Sequence, residues 1–132
     1  MTFREITIAD YEKLIPFWKE HYFFNEMDSK DRFQLFLEKN AGLSFLAEEN
    51  DEIVGTVLGS FDGRRGYLQK LVVDKAKRKH GVGKKLVEQV LEKLKTLRCT
   101  YIPLAVEKEL VYFYQTCGFE ITKQVPMNIE IK

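Results

Sequence analysis

The sequence has only two cysteines, Cys99 and Cys117, and the two are not a Cys-x-x-Cys pair. A disulfide framework is therefore excluded, and a reducing, cytoplasmic setting is expected. Histidine is as scarce. His21 and His80 lie far apart, so no run of ligands has the spacing of a metal site, and none is expected. Long apolar stretches are also missing. The longest run without a charge, Leu110 to Phe119, is ten residues, against the roughly 18 to 20 a membrane-spanning helix needs. The opening Met-Thr-Phe-Arg-Glu-Ile carries no basic region followed by an apolar stretch, so no secretion signal is expected. Proline (three), repeats and Gly/Ser linkers are too sparse to divide the chain. Charge of one sign is absent too: 21 Lys+Arg oppose 20 Asp+Glu, which argues against polyanion binding through bulk charge.

What remains is 132 residues with 45% hydrophobic and 13% aromatic side chains, enough to bury one core, and a single domain over 1–132 is expected. The near-zero balance hides one cluster. Lys75, Lys77, Arg78, Lys79, Lys84 and Lys85 place six positive charges within eleven residues, with no acid among them.

Hydrophobic periodicity orders the elements. Phe3 to Ile8 alternates as a short strand, and Asp10 is placed to cap a helix with Tyr11, Leu14, Ile15, Trp18 and Tyr22 on one stripe. Ser29 to Asn40 repeats the helical signal. Leu43 to Glu49 and Glu52 to Phe61 read as strands joined at Asn50-Asp51. Asp62-Gly63 then turns the chain into Tyr67 to Val73. After Gly81, Val82, Leu86, Val90, Leu94 and Leu97 share one helical face. Ile102 to Val106 reads as a strand buried on both faces, Glu109 to Cys117 as a short helix stopped by Gly118. Phe119 to Val125 and Met127 to Ile131 read as closing strands around Pro126. The fold class expected is α/β (α+β): a mixed, mostly antiparallel sheet of about six to seven strands with helices on both faces.

The sharpest local signal is Arg78-Lys79-His80-Gly81-Val82-Gly83, between a hydrophobic strand and a long helix. Glycines leading into a helix leave backbone N–H groups free at the positive end of its dipole, an anion site. A glycine pair before a helix is also often just a turn. A P-loop would need Gly at position 78, where Arg78 stands, and Ser or Thr at Lys85. A dinucleotide fingerprint would need Gly at Leu86 and parallel strands ahead of it.

Val73 to Gly83 instead resembles the core motif of the GNAT family of N-acetyltransferases, Val-x-Pro-x-x-Arg-Gly-x-Gly-x-Gly. It keeps Val73, Arg78, Gly81 and Gly83, with Lys75 and Lys79 in place of the frequent Pro and Gly. Phe113-Tyr114-Gln115-Thr116-Cys117-Gly118-Phe119 resembles a second family motif, Phe-Tyr-x-x-x-Gly-Phe. The order of elements agrees with the family over almost the whole chain.

The resemblance implies an acetyl-CoA-dependent transferase acting on a primary amine of a small molecule or peptide, by direct attack in a ternary complex. It implies that backbone N–H groups of Lys79, His80, Gly81, Val82, Gly83 and Lys84, with Arg78, hold the acetyl-CoA pyrophosphate, aided by Lys85. It also implies that the main chain of Leu71, Val72 and Val73 pairs with the pantetheine arm, and that Tyr114 is general acid to the departing sulfur. As residues of a helical stripe, Leu110, Tyr114 and Cys117 read equally as packing.

The base is harder to place. Some family members carry Glu eleven residues ahead of the motif Arg, where this chain has Tyr67, and Gln69 on the same strand face cannot serve. Glu107, Glu48 and Glu49 read as strand-end charges. A water chain lined by Tyr67 and Gln69 is the expected route for the proton. Glu107 also stands where members often have an Asn contacting pantetheine. Neither thiol has a histidine nearby in sequence to activate it as a nucleophile.

Two other readings are open: a non-catalytic acyl-CoA-binding regulatory module of the same fold, and a nucleic-acid domain using Lys75 to Lys85. The basic patch lacks the interleaved aromatics the latter needs, and neither nucleic acid nor membrane is expected as a partner. The first helices would form the amine pocket, with Trp18, Tyr22, Phe23 and Phe24 lining it or filling the core. Monomer and homodimer are equally compatible.

Overall fold

The computed structural model describes residues 1–132. Its sheet has four strands in the order β1-β2-β3-β4, all antiparallel: β1 Thr2–Glu5, β2 Phe45–Glu49, β3 Glu52–Phe61 and β4 Gly66–Val73. The helices are α1 Tyr11–His21, α2 Lys30–Lys39, α3 Val82–Thr96 and α4 Val111–Thr116. No helix is long and apolar enough to cross a membrane.

Helices cover both faces, and two apolar clusters mark the layers. On one face Val82, Leu86, Val87, Val90 and Leu94 of α3, with Tyr114 of α4, pack on Phe45, Ala47, Val57 and Leu68. On the other, Leu14, Phe17 and Trp18 of α1 and Phe33 of α2 pack on Leu46, Leu58 and Val72. Leu97, expected on the α3 stripe, lies past the helix end and is half-exposed.

The local chemistry of the hairpins explains their register. Asn50 and Asp51 both adopt positive φ, 54° and 63°, as a two-residue turn matched to strand twist demands. At the β3–β4 turn, the Asp62 carboxylate accepts from the N–H groups of Arg64 and Arg65, and only Gly63 has positive φ, so the loop is longer than a two-residue turn.

The sheet is smaller than the six to seven strands the pattern predicts. Residues 102–106 form no strand. The residue before them, Tyr101, accepts one hydrogen bond from β4, from the Gly66 N–H at 3.0 Å, and no further backbone hydrogen bond to β4 follows. Pro103 has no N–H to extend a ladder, and a bulge bends β4 beyond Gln69. Without that neighbour, the segments expected as closing strands have nothing to pair with. Ile121, Val125, Met127, Ile129 and Ile131 stay exposed, on either side of Pro126.

The bulge in β4 also moves side chains between faces. Leu58 pairs with Gln69 but Thr56 pairs with Val72, so β4 carries one extra residue there. In an unbroken strand Leu68 and Val72 would share a face. Here Leu68 faces α3 and Val72 faces α1. The extra residue includes Lys70, whose φ of +53° is a conformation a non-glycine residue holds at a cost of roughly 1–2 kcal/mol. Its carbonyl accepts from the Thr56 hydroxyl at 2.9 Å, which in turn accepts from the Trp18 indole N–H at 3.0 Å, all buried.

Asp10 departs from its expected role. Its carboxylate does not cap α1 but accepts from Thr7 N–H and from the Arg4 guanidinium at 2.7 and 3.0 Å, while Arg4 also binds Glu48. Burial works to raise the Asp10 pKa, but the Arg4 and Thr7 hydrogen bonds outweigh it and the net shift is downward. A carboxyl with a depressed folded pKa stabilises the fold above its unfolded value near 3.9 and loses that contribution as pH falls below it. Asp10→Asn is therefore expected to lower the melting temperature at pH 7 and to flatten its decline below about pH 4. Equal acid sensitivity of both proteins would contradict this.

Candidate active site

The segment from Val73 into α3 is built to leave its amides free. Asp74 caps a single 3-10 turn at Lys75–Lys77 by accepting from Ala76 N–H, and Arg78 Nε donates back to the Val73 carbonyl at 3.2 Å. Lys79 and Gly81 then take positive φ, 68° and 81°, and α3 starts. None of the backbone N–H groups of Lys79, His80, Gly81, Val82, Gly83 or Lys84 donates to a protein acceptor; the first to do so is that of Lys85, to the Gly81 carbonyl. A Cβ at Gly81 would point into open space, so that glycine supplies conformation. At Gly83 a Cβ would lie 3.3 Å from Phe113 Cζ, so this glycine lets α4 close on the first turn of α3. The two sequence motifs meet there.

The surrounding charges divide. Lys77 pairs with Glu49 at 3.1 Å, and the Lys85 ammonium sits 4.5 Å from the centre of the Phe3 ring. Lys85, expected to aid phosphate binding, is thus turned toward β1. Arg78, Lys79 and Lys84 form no ion pair with an acid. Dispersal of the cluster also weakens a nucleic-acid reading, since three of its six cations, Lys77, Arg78 and Lys85, are engaged within the protein.

The outer edge of β4 beyond Gly66 has no strand partner, which leaves the main chain of Leu71 to Val73 open along that edge. Tyr114 approaches it from the α3 face. The residue is buried, its ring set edge-on to Phe113 at 5.2 Å and Phe119 at 5.6 Å, and its hydroxyl makes no hydrogen bond within the chain. Burial, aided by the nearby Cys117, Tyr22 and Tyr67 groups, pushes its pKa up to about 12. Tyr67 and Gln69 are exposed on the opposite face of β4, and Tyr67 contributes to the raised pKa of Tyr114 across the strand edge.

Two residues join them that the sequence did not single out for chemistry. The Tyr22 phenol is raised by burial and by the fields of Glu107 and Tyr67. Glu107 lies near enough to Tyr22 for its charge to be felt there, whereas Glu48 and Glu49 are tied to Arg4 and Lys77. Tyr22 carried two sequence signals, as the last residue of the α1 stripe and as one of the aromatics expected to line the amine pocket or fill the core; Glu107 carried its alignment with a motif position. Cys117 is held above its usual pKa by burial, which leaves the thiol unreactive. Of the aromatics of α1 and its sequel, Trp18 is fully buried core, while Tyr22 and Phe23 are half-exposed and line a cavity of about 130 Å³ with Met27, Gln69 and Lys70. A larger cleft, about 240 Å³ between β1 and α2, shares no residue with this site.

The fold has been seen before. The chain superimposes on glucosamine-6-phosphate N-acetyltransferase from Arabidopsis thaliana with a TM-score of 0.80 at 21% identity, covering 99% of this chain and 98% of that one. A predicted acetyltransferase from Clostridium acetobutylicum, solved with acetyl-CoA, gives 0.77 at 22% identity over 96% and 95% of the two chains. An aminoglycoside antibiotic 6'-N-acetyltransferase from Acinetobacter haemolyticus gives 0.76 at 17% over 100% and 99%. The model of the acetyltransferase (GNAT) family matches residues 4–119, which include both motifs, the free amides of Lys79 to Lys84 and Tyr114. The chain belongs to the GNAT family of acetyltransferases.

Proposed function

We propose that residues 1–132 form one catalytic domain that transfers an acetyl group from acetyl-CoA to a primary amine by direct attack in a ternary complex. The observation that carries this is the run of six unpartnered amides from Lys79 to Lys84, opening α3 beside the open edge of β4. The amides, with Arg78, Lys79 and Lys84, fit a pyrophosphate: donors are free, charge is positive, and no Cβ obstructs Gly81. The open edge of β4 at Leu71, Val72 and Val73 offers main-chain donors and acceptors to the pantetheine amides, and an N–H there is placed to stabilise an oxyanion. When bound, acetyl-CoA supplies the thioester whose carbonyl carbon the amine attacks.

The chain's own groups then move protons. Tyr114, still protonated at neutral pH, donates to the departing sulfur. An amine with a lysine-like pKa near 10.4 is neutral in only about one molecule in a few thousand at pH 7, so its proton needs a path out. Tyr67 and Gln69 line that path with water, and Glu107 at its outer end receives the proton. A cytoplasmic setting accords with two free thiols.

The test combines binding with turnover. Acetyl-CoA is expected to raise the melting temperature by several degrees, and thiol release should appear with at least one member of a panel of primary amines: glucosamine 6-phosphate, an aminoglycoside, spermidine and a short peptide. Binding without turnover on any amine would instead favour the regulatory-module reading. Tyr67→Phe is expected to lower kcat/KM mainly below pH 7; a uniform effect from pH 6 to 9 would remove Tyr67 from the proton path.

A further inference from the structure

Lys70 is a charged residue in the interior that the proposed chemistry does not use. Its side chain is 5% exposed. The ammonium donates to the Phe23 carbonyl at 2.6 Å and lies 3.0 Å from Asp28 Oδ2. Three rings surround it, Phe23 at 3.9 Å, Trp18 at 4.9 Å and Tyr22 at 5.3 Å from the ring centres. Asp28 is itself fixed: its carboxylate also accepts from Asn25 N–H, and its carbonyl accepts from the Tyr11 hydroxyl at 2.7 Å. Every one of these partners belongs to α1 or to the connection between α1 and α2. The Lys70 backbone belongs to the β4 bulge, held in positive φ by the Thr56 hydroxyl. A single side chain therefore links the segment that carries Tyr22 and Phe23 to the strand that continues directly into Leu71, Val72 and Val73.

We propose that Lys70 is a positioning residue whose ammonium couples the acyl-donor strand β4 to the aromatic 22–28 segment beside the amine's approach. The proposal rests on the reading of Leu71 to Val73 as the donor-binding edge. Donor bound along that edge stiffens the bulge, and Lys70 transmits the restraint through Phe23 and Asp28 to the connection. Burial opposes the ammonium while Asp28 supports it, so the pair works only as a pair. Lys70→Met alone strands the Asp28 carboxylate and is expected to fold poorly. The double variant Lys70→Met/Asp28→Leu removes both charges and keeps the volume filled.

Hydrogen exchange of the full-length chain, followed by mass spectrometry, decides the matter. Without ligand, amides of residues 22–28 are expected to exchange at least tenfold faster in the double variant than in the wild type, with the α3 amides within twofold. Saturating acetyl-CoA should then slow exchange of 22–28 at least threefold in the wild type and not in the double variant, while the variant's Kd for acetyl-CoA stays within threefold. Equal exchange of 22–28 in the two ligand-free proteins, or equal protection by acetyl-CoA, would overturn the coupling. Failure of acetyl-CoA to bind the wild type would overturn the donor-site reading, and with it the coupling to donor; the ligand-free comparison would still decide whether Lys70 holds the segment.

Discussion

Tyr114→Phe is expected to lower kcat by 10²- to 10³-fold while leaving the acetyl-CoA KM within about threefold, the range observed when a positioned general acid is removed. The reasoning starts from the burial of the residue. Its ring is packed edge-on between Phe113 and Phe119, and those contacts survive loss of the hydroxyl. The hydroxyl has no hydrogen-bond partner in the chain, so removing it orphans nothing, and the melting temperature should move by no more than about 2 °C. The hydroxyl has no structural partner and is not sealed from solvent, so on the proposed reading it is free to meet a ligand. Its pKa of about 12 adds a second, sharper expectation. A general acid contributes while it is protonated, which for Tyr114 means throughout pH 6 to 9. The loss on substitution should therefore be constant across that range, and the rise of kcat/KM with pH in the wild type should reflect deprotonation of the amine. A kcat reduced less than fivefold would return Tyr114 to a packing role, as its helical stripe with Leu110 and Cys117 also allows. Loss confined to pH above 8 would show another group acting as the acid.

Whether such features could be read from sequence depends on the range of the interaction that makes them. The Asn50-Asp51 hairpin was legible because the turn's own backbone requires residues that tolerate positive φ. The α3 stripe was legible because its period is local, and the glycine entry to α3 because free amides follow from where a helix begins. Residues 102–106 were not. Their apolar run has the composition of a buried strand, but a strand exists only where a neighbour offers a ladder, and here the one backbone hydrogen bond from β4 goes to Tyr101, with Pro103 unable to extend it. The terminal segments inherit the same gap. Asp10 shows the limit in another form: an acid before a helix signals a cap, yet Arg4 and Thr7, brought close by the β1–α1 turn, compete for the same carboxylate and win. Lys70 was illegible because strict alternation puts it on the face of Leu68; the bulge that reverses the face is set by the unequal residue count between β3 and β4, which no single strand reveals. For Tyr22, pocket lining and core filling cannot be told apart in sequence, nor can Glu107 be told from a strand-end charge, because the fields they share with the other tyrosines arise only in the folded chain.

The second large effect concerns the distance between α3 and the sheet. Gly59→Ala is expected to destabilise the fold by about 3 kcal/mol, lowering the melting temperature by roughly 10 °C for a chain of this length. Gly59 is an interior strand residue, paired with Leu68, where alanine would ordinarily be no worse than glycine. The difference is space. An added Cβ would press on the Leu43 carbonyl oxygen, well inside van der Waals contact, and lie 2.6 Å from Val90 Cγ1. Relief requires moving either backbone or helix. The backbone option is closed on one side, because the Gly59 N–H donates to the buried Ser44 hydroxyl at 3.2 Å next to Leu43. The helix option pushes α3 outward at its middle, where Val90 is fully buried, and tilts the turn that presents Lys79 to Lys84. Affinity for acetyl-CoA should then fall even at temperatures where the variant stays folded. Gly63→Ala supplies the control: its φ is +96° but a Cβ there meets nothing within 4 Å, so only conformational strain of about 1 kcal/mol is expected, with no change in acetyl-CoA affinity. If Gly59→Ala and Gly63→Ala lowered the melting temperature equally, close approach of α3 to β3 would not be what Gly59 provides.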